Sequence, residues 1–378
     1  MENRHVESRI SRHFHAKAAK AGIPLSGTFE LTPCCNLSCK MCYVRKSPSE
    51  VKEEGGLICA ADWIALAKEC REKGMLYLLL TGGEPLTHPE FKEIYTAVRN
   101  MGYVVSINTN GTLIDDDMVA FLAANPPSKV NMSLYGASRE TYYNLCGVPE
   151  AFDKTVYALK AMKAAGISVK INYTATKYNM ADMKGIMKIG DEFGCYVQSA
   201  SYMFPPLRRD ESRVGENDRM TPEEDAGFSI KYESASMAKE QFIARCKARA
   251  ERRPGTIDEE CMDAPSEHIR CRAGTTAFWV NWNGDISLCG MIPVKSANIR
   301  ETDFESAWNK VREDTAKIFM PSKCTECADR EVCAVCAASC YCETGHFGEA
   351  PEYMCRRTKA LIEESKKICK AEEGKNED

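Results

Sequence analysis

Four cysteines fall within nine residues in the run Pro33-Cys34-Cys35-Asn36-Leu37-Ser38-Cys39-Lys40-Met41-Cys42-Tyr43. Thiolates are soft ligands, and four of them saturate a zinc ion or an iron–sulfur cube. The C-x3-C-x2-C spacing of Cys35, Cys39 and Cys42 lets one loop present three sulfurs to a single centre. Zinc needs a fourth protein ligand; Cys34 is the local choice, and adjacent cysteines rarely point the same way. A cube held by three cysteines leaves one iron with an open position, where a small molecule binds as at other open metal sites. The second reading explains why the fourth sulfur is missing.

A second set lies near the C-terminus. Cys271-x12-Gly284-x4-Cys289 precedes Cys324-x2-Cys327-x5-Cys333-x2-Cys336, with Cys340, Cys342 and Cys355 beyond and Cys261 just upstream. The C-x2-C steps alone also permit zinc ribbons. The isolated cysteines Cys59, Cys70, Cys146, Cys195, Cys246 and Cys369 read as small packing or surface side chains.

Positioning these groups requires a scaffold, and the totals allow one. The chain has 378 residues, 44% hydrophobic and 28% charged, enough for a large domain and a smaller one. A formal charge of −4 advertises neither nucleic acid nor an anionic membrane as partner. No run approaches the roughly 20 apolar residues of a membrane helix. The polar N-terminus has no secretory core, so a cytoplasmic location is expected. In a reducing cytosol, 20 cysteines point to metal or catalysis rather than disulfides.

Along the first half, six short apolar strands mostly alternate with helical patterns, from the run at 28–32 to that at 195–201. This predicts a largely parallel sheet of βαβ units, either open or a partial barrel, with its site at the C-terminal strand ends. Every unusual motif of this half sits at such an end. Residues 202–220 carry eight charges between 208 and 219 and read as an exposed connection. A long polar helix is expected over 221–253, and a hairpin turning at Asn283-Gly284. Helices at 302–319 and from about 356 follow. His5, His13 and His15 read as a solvated face of an N-terminal helix.

The loop CNLSCKMC after a strand resembles the signature of the radical S-adenosylmethionine (radical SAM) superfamily. Thr81-Gly82-Gly83-Glu84-Pro85 is similar to that family's GGEP motif, and the runs Ser106–Gly111 and Asn131–Gly136 resemble its next two strand ends. The cysteine array from 271 onward resembles a SPASM auxiliary-cluster domain. The resemblance implies a partial (β/α)6 TIM-like barrel with a C-terminal cysteine-rich domain. It divides the chain into an N-terminal helical extension at 1–25, a barrel at 26–220, a helical connection at 221–260 and an auxiliary domain at 261–378.

The implied cofactors are S-adenosyl-L-methionine, a [4Fe–4S] cluster on Cys35, Cys39 and Cys42, and two auxiliary [4Fe–4S] clusters. An electron from the reduced cube would cleave S-adenosylmethionine to a 5′-deoxyadenosyl radical that takes a substrate hydrogen. Gly82 and Gly83 would admit the methionyl end, and Glu84 would accept from its ammonium. Asn108, Asn110 and Ser133 would meet the carboxylate or ribose, Asn172 and Thr176 the adenosine, and Tyr43 the adenine. Cys324, Cys327, Cys333 and Cys355 would hold the outer auxiliary cluster. Cys271, Cys289 and one cysteine of the 336–342 loop (Cys336, with Cys340 and Cys342 as substitutes) would hold the inner one, with Cys261 as a further ligand. The usual three-residue gap after the third cysteine is two here, ending at Cys336.

Enzymes of this layout mostly modify peptides or proteins, by thioether or carbon–carbon crosslinks in ribosomally made peptides or by side-chain oxidation. That is the leading expectation, with a flavodoxin or ferredoxin-type electron donor. Small-molecule tailoring, such as tetrapyrrole side-chain modification, is the alternative. An iron–sulfur electron carrier is the non-enzymatic reading, and the nucleoside-type motifs argue against it. Tyr202 and Asp210 are the only general-base candidates after the sixth strand, and no residue is nominated as catalytic.

Overall fold

The computed structural model describes residues 9–253 and 271–374. Six parallel strands lie side by side in chain order: β1 (Ser26–Glu30), β2 (Tyr77–Thr81), β3 (Val104–Thr109), β4 (Lys129–Ser133), β5 (Val169–Thr174) and β6 (Tyr196–Ala200). Helices between them complete a partial (β/α)6 barrel, as expected. Alternation sets the two faces. In β3, Val105, Ile107 and Thr109 are buried while Ser106 and Asn108 are half-buried. The apolar positions Phe29, Leu80, Ile107, Met132 and Ile171 pack outward with helical residues such as Trp63 and Ile94 into one core. Burying each such side chain contributes about 1.5–3 kcal/mol.

The predicted hairpin forms, but it does not stand apart. β7 (Ala277–Val280) and β8 (Asp285–Ser287) pair antiparallel, with Gly284 at the turn in the left-handed region, φ +93°. β7 also pairs parallel with β1, from Ser26 opposite Ala277 to Phe29 opposite Val280. With β9 (Ala297–Asn298) this makes one nine-stranded sheet. The edge of β1 would otherwise expose an unpaired ladder, and the Phe-Trp-Val run closes it.

Three further expectations change. The polar stretch at 221–253 is two helices, Pro222–Ser236 and Lys239–Ala250, broken so that both pack on the terminal helix Glu352–Glu373. Ala226, Ile230, Phe242 and Leu361 form their shared core. Residues 202–220 are not simply exposed, because Met203, Leu207 and Met220 are buried and two of the arginines reach inward. His15 is not solvated: it is 6% exposed, and its Nδ1 lies 2.9 Å from Thr276 Oγ1. It seats the N-terminal helix Arg9–Ala21 against the sheet. Among the described residues, no helix is long and apolar enough to cross a membrane.

Candidate cluster and cofactor site

The cysteine loop leaves the end of β1 and is held from two sides. Gly83 N–H donates to Thr32 O at 2.7 Å, and Glu84 N–H to Cys34 O at 2.9 Å. A Cβ on Gly82 would lie 2.5 Å from Thr32 O, and one on Gly83 2.5 Å from the carbonyls of Pro33 and Cys34. The two glycines therefore admit the cysteine loop's own backbone, a closer constraint than the expected approach to a methionyl group. From the other side, Ser38 and Lys40 donate to the carbonyls of Cys146 and Leu145, both at 3.0 Å. Those carbonyls end the helix Arg139–Cys146, which the sequence pattern did not reveal.

Cys35, Cys39 and Cys42 are half-buried, and their sulfurs are addressed by the chain. Leu37 N–H donates to Cys35 Sγ at 3.4 Å, and Arg45 N–H to Cys42 Sγ at 3.3 Å. Such donors stabilise thiolates that ligate iron. Cys34 differs in its backbone: its N–H is tied to Thr32 Oγ1 and its carbonyl accepts from Glu84 N–H. Burial pushes the Cys35 thiol up to about 12 and raises Cys42 as well. Cys39 is held well above the ordinary range by the neighbouring Cys146 thiol and then by burial. Bound iron, replacing these protons, reverses that logic.

Glu84 is fully buried and already accepts three hydrogen bonds, from Asn110 N at 2.7 Å, Thr109 Oγ1 at 2.8 Å and Leu86 N at 3.2 Å. It ties β2 to β3, so its expected part as ammonium acceptor is confined to the one acceptor position left. Asn110 is fixed just as firmly. Its side-chain oxygen accepts from Thr112 N and Oγ1, and its Nδ2 donates to Asn36 Oδ1 at 2.9 Å and to Cys35 Sγ at 3.7 Å. Asn110 Nδ2 is therefore turned to the expected ligand Cys35 and to Asn36, not held open for a ribose.

The half-buried face of the strands carries the remaining polar candidates. Register aligns Asn108 with Asn131, and Ser133 with Asn172 and then Gln198. Asn131 Nδ2 donates to Asn108 Oδ1 at 2.9 Å, while the buried Asn131 Oδ1 has no protein partner. Arg45 Nε is likewise buried without one. Asn131 is at the middle of β4 and Arg45 in the cysteine loop, and such orphaned polar atoms suit a polar bound group. Thr176 does not join this face: it is 1% exposed, and its N–H and hydroxyl both contact Asn179 Oδ1. It closes the turn after β5 instead. The Arg208 guanidinium lies over the Tyr43 ring, 5.8 Å from its centre.

Two buried ion pairs, neither anticipated from the sequence, lie at the seam of the halves: Arg219–Glu343 crosses it, while Arg208–Glu30 is within the barrel and is reached from the auxiliary side by Gly290 and Trp279. Arg208 grips Glu30 at 2.7 and 2.8 Å and donates to Gly290 O, next to Cys289, at 2.9 Å. Trp279 Nε1 also donates to Glu30. Arg219 grips Glu343 at 2.6 and 2.8 Å and lies 3.9 Å over the Tyr353 ring. Tyr202 donates its hydroxyl to Glu343 at 2.6 Å, and Asp210 is an exposed acceptor for Ser212, so neither is placed as a general base. An acidic residue ending an apolar strand was the one sequence signal for Glu30; its partner 178 positions away carried none.

In the auxiliary half, Cys324, Cys327, Cys333 and Cys355 line a cavity of about 150 Å³ together with Arg330 and Lys359. That is the expected outer ligand set. Cys271, Cys289 and Cys336 lie apart from that cavity: burial first and the neighbouring Cys336 after it raise both Cys271 and Cys289, and Ala273 N–H donates to Cys271 Sγ. Cys340 does not line the outer cavity and packs behind it, and Cys261 lies outside the described residues. No described cysteine forms a disulfide. Nor do any three described His, Cys, Asp or Glu side chains close on the point of a single ion. A cube, with iron at its corners, takes its thiolates farther apart than one ion does.

Comparison with known proteins agrees with this layout. Residues 29–189 match the radical SAM superfamily, and residues 271–341 match SPASM, an iron–sulfur cluster-binding domain. An AdoMet-dependent heme synthase of Methanosarcina barkeri is 28% identical over 356 residues, covering 90% of this chain and 98% of that protein. Streptococcus suis SuiB, solved with the precursor peptide SuiA, shares the fold with a TM-score of 0.66 at 19% identity, over 94% of this chain and 83% of its own. The enzyme anSMEcpe, solved with AdoMet and the Kp18Cys peptide, gives a TM-score of 0.67 at 18% identity, over 92% and 99%.

Proposed function

This chain is a radical SAM enzyme with a C-terminal SPASM-type auxiliary domain, and on that premise we propose that it takes a hydrogen from a peptide or protein segment seated on the half-buried face of the strands. With its cluster reduced and S-adenosylmethionine bound, the Cys35, Cys39 and Cys42 loop supplies the hydrogen-abstracting chemistry of the superfamily. The chain's own residues position and shield it. Asn110 and the Leu37 and Arg45 amides hold the ligand sulfurs, and Gly82 and Gly83 keep the loop against β2.

The observation that carries the peptide reading is the chemistry of the face. Asn108, Asn131, Ser133, Asn172 and Gln198 offer amides and a hydroxyl, which match a peptide backbone. The two buried arginines, Arg208 and Arg219, are each already committed to a carboxylate. A substrate with several carboxylates would draw on cations outside such pairs, and Lys170, opposite Asn131 on this face, donates to the neutral Gln198. The second reading, tailoring of a tetrapyrrole, is favoured by the likeness to heme synthases along nearly the whole chain. A flavodoxin or ferredoxin-type protein is the proposed electron donor. We assign 1–25 to a helical extension, 26–220 to the barrel, 221–260 to the connection and 261–378 to the auxiliary domain, the last sharing its first strand with the barrel's sheet.

The test is anaerobic turnover of the reconstituted, reduced enzyme with a pool of unprotected peptides or with a propionate-bearing iron porphyrin. Peptide stimulation of 5′-deoxyadenosine release, with a peptide product lighter by two hydrogens, supports the proposal. Porphyrin product lacking carbon dioxide and two hydrogens overturns it in favour of the second reading.

A further inference from the structure

The gap between Cys327 and Cys333 has Arg330 at its middle. Its backbone is fixed to both cysteines. Arg330 N–H donates to Cys327 O at 3.0 Å, and Cys333 N–H is shared between Asp329 O at 3.1 Å and Arg330 O at 3.3 Å. The side chain lines the same cavity as the four outer thiols. Its Nε is buried, and no protein atom accepts from it. A charged donor held out of water without an acceptor is costly, and points to an acceptor that the protein itself does not supply.

We propose that Arg330 tunes the outer auxiliary cluster, giving its Nε–H to a sulfur of the cube and its charge to the reduced form. The rest of the lining leaves little else for it. Val335, Pro351 and Met354 are apolar, and the Thr358 hydroxyl is tied to Met354 O at 2.8 Å. The one acid of the lining, Asp329, is claimed by Arg252 Nε at 2.5 Å. The remaining charges have the sign of Arg330: Lys323 beside Cys324, and Lys359 one turn beyond Cys355 on the helix Glu352–Glu373.

Reduction adds one negative charge to the cube, so cations around it favour the reduced state. They do not count equally. Lys323 and Lys359 are exposed, and water and salt screen them. The buried Arg330 Nε escapes that screening and is a charge-assisted donor as well. A cube on four thiolates has no open iron, so this cluster passes electrons and binds no substrate atom. Arg330 is therefore a positioning residue for electron transfer, acting through the cluster.

This inference rests on the cluster-binding reading of the auxiliary half. The test is an EPR-monitored redox titration of the full-length, anaerobically reconstituted protein, in which the outer signal is the one that Cys327→Ala removes. Arg330→Met should keep the iron of wild type and make reduction of the outer cluster about tenfold less favourable, a fall of about 59 mV for one electron. The fall should persist at high salt. Arg330→Lys, which keeps the charge and loses Nε, should lie between Arg330→Met and wild type. Lys323→Gln should give a smaller shift that salt abolishes. An unchanged outer potential in Arg330→Met overturns the inference, as does a shift no larger than that of Lys323→Gln. If Arg330→Met sheds the cluster, Arg330→Lys decides: a wild-type potential there denies Nε its part, and loss of the cluster there too makes Arg330 a builder of the loop. A wild-type protein without any signal sensitive to Cys327→Ala fails the cluster-binding reading instead.

Discussion

The side-chain amide of Asn110, at the end of β3, donates to the sulfur of Cys35 across 3.7 Å and to the Asn36 side chain across 2.9 Å. It links the first ligand cysteine to a strand two positions away in the sheet. A neutral N–H directed at a ligand sulfur favours the reduced, more negative cluster. Such a bond is worth about 0.5–1.5 kcal/mol net, and only the part that differs between the two cluster states moves the potential, at most about 20–60 mV for one electron. Asn110→Ala should therefore keep the loop cluster's iron and shift its potential downward by up to that amount. An EPR-monitored redox titration checks it, and an unchanged potential denies the contact its role.

The separation of Cys34 from its neighbours gives a sharper test. Its N–H and carbonyl are engaged by Thr32 and Glu84, whereas Cys35 and Cys42 receive backbone N–H groups at sulfur. Replacing Cys35, Cys39 or Cys42 by Ala should remove about four iron and abolish release of 5′-deoxyadenosine. Cys34→Ala should leave both unchanged. Iron analysis and product chromatography decide it, and loss of the cluster in Cys34→Ala would make the loop a four-thiolate site.

Much of this was legible because it is local. The alternation in Val104–Thr109 and the C-x3-C-x2-C spacing each carry their structural meaning within a few residues, whereas the glycine pair after β2 was visible but its close partners, Thr32 to Cys34, are distant in the chain. What the sequence hid depends on distance along the chain. Arg208 and Arg219 looked like members of a solvated charge run, and only the fold brings Glu30 and Glu343 to them. The Phe-Trp-Val strand reads as half of a hairpin, and nothing in it announces a parallel partner some 250 residues earlier. Thr176 was misplaced for a local reason: a threonine after a strand serves a turn as readily as a ligand, and Asn179 three residues on claims it.

Glu84 supplies a pH dependence. Burial pushes its carboxyl up from 4.5 to about 7, against the hydrogen bonds that lower it. Its folded value lies above its unfolded one, so the stabilisation is fully present below about 4.5 and is lost as pH rises through about 7. The difference is worth about 3 kcal/mol in the cluster-free chain. Glu84→Gln cannot titrate. The wild-type minus Glu84→Gln stability difference should therefore fall by about that amount between those pH values, as measured by urea unfolding. A pH-independent difference would show that Glu84 is already ionised throughout.

The Glu30–Arg208 pair tests whether the seam of the halves rests on a buried charge pair within the barrel, which Gly290 and Trp279 reach from the auxiliary side. Both side chains are almost completely buried, at 1% and 8% exposure, and Trp279 and Gly290 complete their hydrogen bonds. Removing one member leaves the other charged and unpaired in a dry place, a loss of about 3–5 kcal/mol. Replacing both by neutral side chains removes the stranded charge along with the attraction. Glu30→Gln and Arg208→Met should each destabilise the protein strongly, and the double variant should be less destabilised than the two losses added together. Arg208 reaches Tyr43, beside Cys42, and Gly290, beside Cys289. The single variants should therefore also disturb the EPR signals of the loop and inner clusters, while the outer signal stays as in wild type. Strict additivity in the unfolding cycle, with both signals intact, would reduce the pair to two independent packing contacts.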